Sequence, residues 1–182
     1  MKYLFYFTAL ILLFSCNKEP KKIIDYKVNF NQKEKQILKI ADSIIKSAYY
    51  ATLITLDKED QPRARIVEPF TPKNHHIIWI GTNPKSRKVN QLKHNSKTTL
   101  HYFDKNKLAY VSLMGNAYLV NDDKTKQEIW KDGWERFYPN RKTDYLLIKF
   151  IPKTIELISI TDNYTGDKTT WKPHQVILYN TK

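Results

Sequence analysis

Cysteine and glycine are scarce in this sequence, and their scarcity excludes several kinds of site. Cys16 is the only cysteine among 182 residues. The chain therefore cannot form an intramolecular disulfide or a cysteine-ligated metal site, and everything after Cys16 lacks a thiol nucleophile. The four glycines include no G-x-G-x-x-G and no Walker pattern, so the dinucleotide-binding and P-loop signatures are missing. The histidines show no ligand spacing, and we expect no metal site.

Acidic residues are also in deficit. The chain has 18 Asp and Glu against 31 Lys and Arg, which gives a formal net charge of +13. Such an excess favours anionic partners, namely phosphates, nucleic acid or an anionic membrane surface. The basic residues are dispersed rather than gathered in a tail. A solvated basic surface is therefore the alternative, and we do not expect a nucleic-acid partner.

Long hydrophobic runs are missing except at the N-terminus. Lys2 precedes an apolar run over residues 3–14, which has the length of a secretory signal and is shorter than the roughly 20 residues of a membrane span. Residues 13–16, LFSC, resemble the lipobox of bacterial lipoproteins, in which cleavage precedes a lipid-modified cysteine. We expect a lipoprotein signal peptide over residues 1–15 and lipid attachment at Cys16. The protein would then be an exported, membrane-anchored lipoprotein of the bacterial cell envelope, on its periplasmic or surface face. An ordinary signal peptide or an uncleaved anchor is the alternative.

The rest of the chain reads as one domain with flanking segments. Residues 16–30 are polar and lysine-rich, typical of a tether, and residues 161–182 form an irregular aromatic tail that we expect to pack on the domain. Between them, hydrophobic periodicity predicts three helices and six strands. The helices fall at about 32–47, 84–94 and 121–134, and the strands at 49–57, 63–70, 75–81, 97–103, 108–120 and 144–160. Short turns between the strands indicate a mainly β, six-stranded antiparallel barrel with helical decoration over residues 31–160.

Two positions inside the long strands predict irregularities. Gly115 indicates a β-bulge or a close backbone approach, and Pro152 indicates an edge or a bend. In the third helix, Gly133 is predicted to end the helix as its C′ residue. The aromatic set after it is predicted to form core or dimer contacts rather than a substrate cage: Trp130, Trp134, Phe137 and Tyr138.

The strand-to-helix junction at residues 81–88 is the strongest candidate site. Asn83 is a good N-cap and Pro84 suits the first helical position, which places Ser86, Arg87 and Lys88 in the first turn. Cations in that turn oppose the helix dipole. An anion held by the free N–H groups, the hydroxyl and both cations would remove the conflict. The alternative is that these basic side chains simply face water.

A pair of arginines on the second strand is a second candidate. Arg63 and Arg65 share one face because side chains alternate along a strand. They could line a phosphate or carboxylate site, or lie on the wet face of a half-exposed sheet.

Taken in order, these motifs resemble a known family. Arg65-Ile66-Val67, a further strand and then TNPKSRK at residues 82–88 are similar to the pyridoxamine 5′-phosphate oxidase-like FMN-binding split barrels. The later YVSLMGNAYLV at 110–120, with Trp130, Trp134 and FYP at 137–139, resembles the general stress protein branch of that family. The resemblance implies a split barrel, FMN as the cofactor and a homodimer with FMN at the interface.

The resemblance also implies roles for individual residues. Arg65 and the backbone of Ile66 and Val67 would contact the flavin and the ribityl phosphate, and Thr82 would lie near the isoalloxazine ring. Arg87 and Lys88 would bind the phosphate, with Ser86 nearby. Tyr110 or the region of Trp171 would approach from the second subunit.

Three departures argue against a true pyridoxamine-phosphate oxidase. Phe70 stands where the oxidase has a substrate lysine, Tyr110 stands where it has a glutamine, and TWKPHQVIL lacks its C-terminal Arg/His motif. We therefore expect an FMN-binding protein that functions as a flavin-dependent oxidoreductase acting on another substrate. A non-catalytic lipoprotein that binds flavin or haem in the same fold is the first alternative. A basic surface-adhesion or nucleic-acid-binding module is the second.

Overall fold

The computed structural model describes residues 26–27, 29–72 and 76–179. The predicted signal peptide, Cys16 and most of the tether lie outside this range. The helices are α1 Gln32–Ala48, α2 Arg87–His94, α3 Asp123–Glu128 and α4 Arg141–Asp144, with a 3₁₀ turn at Trp134–Arg136. The strands are β1 Ala51–Leu56, β2 Pro62–Val67, β3 Ile78–Thr82, β4 Lys97–Asp104, β5 Ala109–Val120, β6 Leu146–Ser159 and β7 His174–Ile177. Among the described residues, no helix has the length and apolarity needed to cross a membrane.

The strands form one antiparallel sheet that curls into a barrel. Their order is β2-β1-β4-β5-β6-β3, and β7 also pairs with β6. The two ends of this order meet where Pro69, just after β2, forms an isolated bridge with Ile80 of β3. The Phe70 N–H also donates to the Trp79 carbonyl at 2.8 Å. Among the described residues, the segment after β2 therefore meets β3 at this bridge, and the predicted mainly β antiparallel barrel with helical decoration is confirmed.

Helix α1 packs against β4, β5, β6 and β7. It starts at a capping box in which Asn31 accepts from the Glu34 N–H and Glu34 accepts from the Asn31 N–H. Its apolar stripe is buried against the inner faces of the strands. The buried members are Ile37, Ile40, Ala41, Ile44 and Ile45. The helix predicted at 32–47 is confirmed, and it ends one residue later.

The C-terminal tail was predicted to be irregular, and it instead contributes a seventh strand. β7 pairs with β6, and Val176 and Leu178 are buried in the core while Gln175 and Ile177 are exposed. That alternation is the signature of a half-buried strand. The end of the predicted tether is also attached here, because the Lys27 N–H donates to the Leu178 carbonyl at 2.9 Å.

The β5–β6 pairing contains the predicted bulge. The register shifts between Met114 and Gly115, and Gly115 lies opposite Pro152. A Cβ atom at Gly115 would collide with the Ile151 carbonyl. Pro152, which has no N–H to donate, thus lies opposite Gly115, which has no side chain, where the β5–β6 register shifts.

The third predicted helix, at 121–134, is shorter than expected. α3 ends at Glu128, and Gly133, at φ 81°, precedes the 3₁₀ turn rather than ending α3. A second hydrophobic cluster forms in this region around Trp134, Tyr145 and Leu147. Trp130 and Tyr138 pack against it, whereas Phe137 remains 56% exposed. Aromatic packing, rather than helix propensity, therefore determines the backbone conformation after α3.

The predicted third strand also starts later. β3 begins at Ile78 rather than at 75, and His76 has a left-handed φ of 56° that does not belong to a strand. Residues 73–75 lie outside the described range.

Candidate functional site: three cations at the start of α2

Helix α2 begins three residues later than the sequence predicts. The Asn83 side chain accepts from the Lys85 N–H at 2.8 Å, and the Ser86 N–H donates to the Asn83 carbonyl at 3.0 Å. Asn83 and Pro84 thus form a turn, for which both residue types are well suited. The prediction of Asn83 as N-cap is wrong, because the turn satisfies its side chain. Ser86 is the N-cap, and Arg87 and Lys88 are the first two helical residues.

The Ser86 hydroxyl does not cap the helix. It lies 3.0 Å from the Thr82 hydroxyl, to which the Lys88 ammonium also donates at 3.0 Å. Thr82, at the end of β3, is buried. The first turn of α2 contains no acidic residue. Its N–H groups and positive dipole end therefore lack the side-chain acceptor that usually satisfies them.

Arg65 reaches the same place from β2. Its guanidinium donates to the Thr55 hydroxyl at 2.6 Å, to the Leu53 carbonyl at 3.2 Å and to the Gln91 side-chain oxygen at 2.7 Å. The Thr55 hydroxyl also donates to that Gln91 oxygen at 2.7 Å. This network fixes the guanidinium against α2.

Gln91 is a site residue that the motif comparison did not identify. It follows Arg87 by four positions and Lys88 by three, so the three side chains lie on adjoining parts of one helix surface. That spacing is the sequence feature that could have placed Gln91 beside Arg87 and Lys88. Buried Val89 and Leu92 hold the neighbouring face of α2 against the barrel.

We call Arg65, Arg87 and Lys88 the cation cluster, because each influences another electrostatically. Burial and the neighbouring Arg87 lower the pKa of Arg65. Burial and Arg65 lower the pKa of Lys88. Within the described residues no carboxylate forms an ion pair with any of the three. Like charges held together without a counter-ion are unfavourable, and a phosphate group would remove that cost.

Arg63, the other arginine on this face of β2, is not part of the cluster. Its guanidinium pairs with Asp57 at 2.7 Å in the β1–β2 turn. Arg65 therefore lies in the candidate anion site, as the first alternative predicts. Arg63 lies on the exposed side in an ion pair, as the second alternative predicts.

The remaining residues predicted to contact the cofactor lie outside the cation cluster. Val67 packs against the core, whereas Ile66 points outward and is 67% exposed. Tyr110 lies on β5, separated from β2 by β1 and β4. Its ring lies 5.4 Å from His101, and burial together with Glu156 raises its pKa. Trp171 is 78% exposed in the tail. In the described part of the chain, neither Tyr110 nor Trp171 has a hydrogen bond or ring contact with a residue of the cation cluster.

The family model for pyridoxamine 5′-phosphate oxidase matches residues 37–159, which include the whole cation cluster. The chain belongs to the pyridoxamine 5′-phosphate oxidase family. The match ends with β6, so β7 and the tail are outside the family's common core. No curated protein matches the sequence.

Solved structures share this family fold at low sequence identity. A Clostridium acetobutylicum protein related to general stress protein 26 is 23% identical, with a TM-score of 0.65, over 79% of this chain and 95% of that one. An FMN-binding, pyridoxamine 5′-phosphate oxidase-related protein from Nostoc punctiforme is 12% identical, with a TM-score of 0.58, over 84% and 99%. A haem-binding protein from Mycobacterium smegmatis is 15% identical, with a TM-score of 0.58, over 82% and 60%. At these identities the likeness shows the split-barrel fold.

Proposed function

We propose that this family member binds FMN and holds its phosphate in the cation cluster. The observation that carries the proposal is the group of three interacting cations at an uncapped helix N-terminus, with no described carboxylate paired to them. Arg87 and Lys88 bind the phosphate, Arg65 supports it from β2, and Ser86 and Thr82 supply hydroxyls. The backbone of Ile66 and Val67 then lies beside the ribityl chain and the ring.

We propose that the bound flavin serves an oxidoreductase reaction. FMN supplies the hydride or electron transfer, and the protein supplies position and electrostatics. The substrate differs from pyridoxamine phosphate, because Phe70 replaces the oxidase's lysine. The Phe70 ring packs against Trp134 at 5.4 Å between centroids. That position therefore contributes to an apolar cluster and presents no charge to a second phosphate.

We further propose that the protein is a homodimer formed through the outer face of β2, β1, β4 and β5. Large apolar side chains are exposed there, with Ile66 at 67% and Phe103 at 58%, and Phe103 pairs across the ladder with Tyr110. Exposed apolar side chains on one sheet face are typical of an interface. A dimer across this face would bring the partner's copy of this face toward Ile66, and Tyr110 belongs to that face. This arrangement agrees with the expected role of Tyr110 at the cofactor.

The N-terminal sequence supports export and anchoring as part of the same proposal. The short apolar run, the LFSC motif and the polar residues after Cys16 form the pattern of a lipoprotein signal. The protein would then act at the membrane surface of the cell envelope, attached through lipidated Cys16. Mass spectrometry of the envelope fraction tests this step. It should find the mature chain starting at a diacylated Cys16, and an unmodified N-terminus at Met1 would contradict it.

The cofactor proposal is tested by the visible absorption spectrum of the full chain purified in detergent. The spectrum is recorded before and after incubation with excess FMN and removal of free ligand. We expect a retained flavin band. A retained Soret band without flavin would instead favour the haem-binding alternative, and a folded protein with no retained chromophore would contradict both.

Paired variants connect that band to the cluster. Arg87→Ala and Lys88→Ala should each lower FMN affinity at least about tenfold, since a charge-assisted hydrogen bond contributes roughly 1.5–3 kcal/mol. Lys93→Ala removes the same charge from the last turn of α2 and is the matched control. Equal effects from all three variants would mean that only the overall positive charge matters.

A further inference from the structure

Helix α1 presents lysines to solvent on the side away from its buried stripe. Lys35 and Lys39 are exposed and lie four positions apart, so they share one face of the helix. Like charges at this spacing destabilise a helix. Among the described residues, neither lysine forms an ion pair with a carboxylate. The helix therefore carries an electrostatic cost that the described ion pairs do not offset.

A third lysine is brought to this face from the β4–β5 turn. The Lys107 ammonium donates to the Ser43 hydroxyl at 2.6 Å, and Ser43 follows Lys39 by four positions on α1. Lys107 likewise has no ion pair with a carboxylate in the described part of the chain. We call Lys35, Lys39 and Lys107 the basic face of α1. The fold thus gathers positive charge from two separate elements on one helix surface.

The two carboxylates of α1 do not neutralise the basic face. Glu34 takes part in the capping box and pairs with Lys27 at 2.7 Å. The Asp42 carboxylate lies 3.0 Å from the His76 imidazole. One further carboxylate beside three ammonium groups leaves an excess of positive charge, which attracts anions.

The chain enters the domain beside the start of α1. The Tyr26 ring stacks on Tyr179 at 5.2 Å between centroids, and the Lys27 N–H donates to the Leu178 carbonyl at 2.9 Å. The Lys27 side chain pairs with Glu34 in the first turn of α1. The segment that leads to the N-terminus is therefore attached to the domain next to this helix.

The length of chain before Tyr26 limits how far α1 can lie from a lipid anchor. Cys16, the proposed attachment residue, precedes Tyr26 by ten positions. A fully extended chain spans at most about 3.6 Å per residue, or roughly 36 Å over this segment. The 17 residues of α1 are about 26 Å long, and Lys35 and Lys39 lie in its first half. The basic face is therefore within reach of the surface that would hold Cys16.

We propose that the basic face of α1 docks on an anionic phospholipid surface and fixes how the anchored domain lies on the membrane. The choice of partner rests on the proposed lipid attachment at Cys16. A lysine near an anionic bilayer strengthens binding by roughly fivefold, and an anchor that holds the domain close lets such weak contacts add up. None of the three lysines lies on β2, β1, β4 or β5, so docking does not use the proposed dimer face.

The test measures how close α1 lies to lipid. The full chain is purified in detergent and reconstituted into phosphatidylcholine vesicles, with or without phosphatidylglycerol, that contain a lipid-borne energy-transfer acceptor. A donor dye is attached through Gln36→Cys, an exposed position on α1 between Lys35 and Lys39. Gln61→Cys, an exposed position just before β2, is the matched control. If the chain without a new cysteine takes up dye, Cys16 is free, and both labels are placed in Cys16→Ser instead.

Gln61 lies at the opposite end of the sheet from Lys107. Thr55, near the end of β1, pairs with Thr98, near the start of β4, which places the β1–β2 turn at that end. Lys107 follows the other end of β4 and contacts α1 there. The 8 residues of β4 separate the two ends by roughly 25 Å. A change in energy transfer at Gln36 without one at Gln61 therefore reports the orientation of the domain.

We expect more energy transfer from position 36 on vesicles with phosphatidylglycerol than on phosphatidylcholine alone, and no such difference from position 61. The excess should disappear between about 0.15 and 1 M salt, because the screening length falls from about 8 to about 3 Å. Lys35→Gln with Lys39→Gln should remove most of the excess. Lys58→Gln with Lys97→Gln removes two exposed lysines from the far end of the sheet and should not. Equal transfer from position 36 on both lipids would overturn the inference.

A second measurement works without the anchor and separates the two proposals. Cys16→Ser cannot be acylated at this position, and its affinity for the two vesicle types is measured by co-sedimentation. The ratio of the two affinities should fall at least about tenfold when Lys35→Gln and Lys39→Gln are added, from two contacts of roughly fivefold each. An unmodified Cys16 in the wild type, with this charge dependence intact, would overturn only the anchoring proposal. A lipidated Cys16 without the charge dependence would overturn only the docking surface. Displacement from the vesicles by duplex DNA would assign the basic face to nucleic acid and would also overturn the inference.

Discussion

At the scale of single residues, Gln91 decides how Arg65 is presented. Its side-chain oxygen accepts from both the Arg65 guanidinium and the Thr55 hydroxyl at 2.7 Å. A neutral acceptor fixes the guanidinium without cancelling its charge. A carboxylate at this position would fix it equally well and would also neutralise it.

The substitution Gln91→Glu should therefore raise the free energy of unfolding and lower the affinity for FMN. We expect a higher free energy of unfolding without ligand, by about 1 kcal/mol, because the cation cluster gains a partly buried counter-charge. FMN affinity should fall about tenfold, because the phosphate competes with that carboxylate. Denaturant unfolding and fluorescence titration measure the two quantities. A variant that binds FMN as tightly as the wild type would show that Arg65 does not face the phosphate.

Lys88 gives the cluster a pH dependence. Burial and Arg65 lower its pKa from the ordinary value of 10.5, so in the ligand-free protein its charge is lost as pH rises through that lowered pKa. The phosphate stays dianionic above its second pKa of about 6. FMN affinity should thus be fully present below the lowered pKa of Lys88 and fall above it.

Lys88→Arg is the matched test, because arginine remains charged throughout this range. Its FMN affinity should decline less than that of the wild type over the range in which pH rises through the lowered pKa of Lys88. The same shift means that protonated Lys88 destabilises the ligand-free fold, so the stabilisation by FMN should be largest at the low end of this range. Coincident pH profiles for the two proteins would exclude Lys88 from the phosphate site.

The residues proposed to bind the phosphate could be predicted from the sequence, but their local structural roles could not. The motif identified Arg65, Thr82, Ser86, Arg87 and Lys88, and the fold places all five at or beside the start of α2. Asn83 was assigned as N-cap because cap and turn preferences are the same for asparagine. The spacing of Gln91 from Arg87 and Lys88 places it on their helix surface, but its contact with Thr55, 36 positions earlier on β1, cannot be read from that spacing.

At the scale of elements, the β5–β6 ladder depends on one glycine. Gly115 lies at the register shift, against the Ile151 backbone and Pro152. Backbone atoms cannot move aside as a flexible side chain can. This feature was predictable, because a glycine within a long strand and a proline within its neighbour both indicate a break in regular pairing.

Gly115→Ala should lower the free energy of unfolding by about 1–3 kcal/mol, the usual effect of overpacking. Lys153→Ala, an exposed change beside Pro152, should have little effect and serves as the control. Urea unfolding followed by circular dichroism measures both. An unchanged midpoint for Gly115→Ala would mean that the bulge relaxes freely.

Other element boundaries depended on tertiary packing. Strands β1 to β6 and helix α1 were predictable because their apolar periodicity matches the faces that they bury. The predicted 121–134 helix shortened because Trp134 packs into the second cluster with Tyr145, which follows it by eleven positions. β7 was missed because four residues offer too short a pattern to distinguish from irregular chain.

At the scale of the whole molecule, the outer face of β2, β1, β4 and β5 exposes large apolar side chains to solvent. Ile66 and Phe103 lie on neighbouring parts of it, through the pairing of Ile66 with Thr52 and of Thr52 with His101. Phe103→Asp and Ile66→Asp should each dissociate the proposed dimer, because a charge buried in an apolar interface is unfavourable. Leu108→Asp, an equally exposed apolar position in the β4–β5 turn, is the control.

Light scattering coupled to size-exclusion chromatography measures this shift. If the cofactor site is completed by the partner subunit, the monomeric variants should also bind FMN more weakly, although their cation clusters are intact. Dimers that persist in both aspartate variants would place the interface elsewhere. Monomers with unchanged FMN affinity would instead make the site complete within one protomer.

The central claim is that the cation cluster recognises a phosphate, and comparing FMN with riboflavin tests it most directly. The two ligands share the ring and the ribityl chain, and riboflavin lacks only the phosphate. We expect the wild type to bind FMN at least about a hundredfold more tightly, from two or more charge-assisted contacts. The Arg65→Ala, Arg87→Ala, Lys88→Ala triple variant should bind both ligands with the same low affinity. Equal affinities for FMN and riboflavin in the wild type would contradict the account.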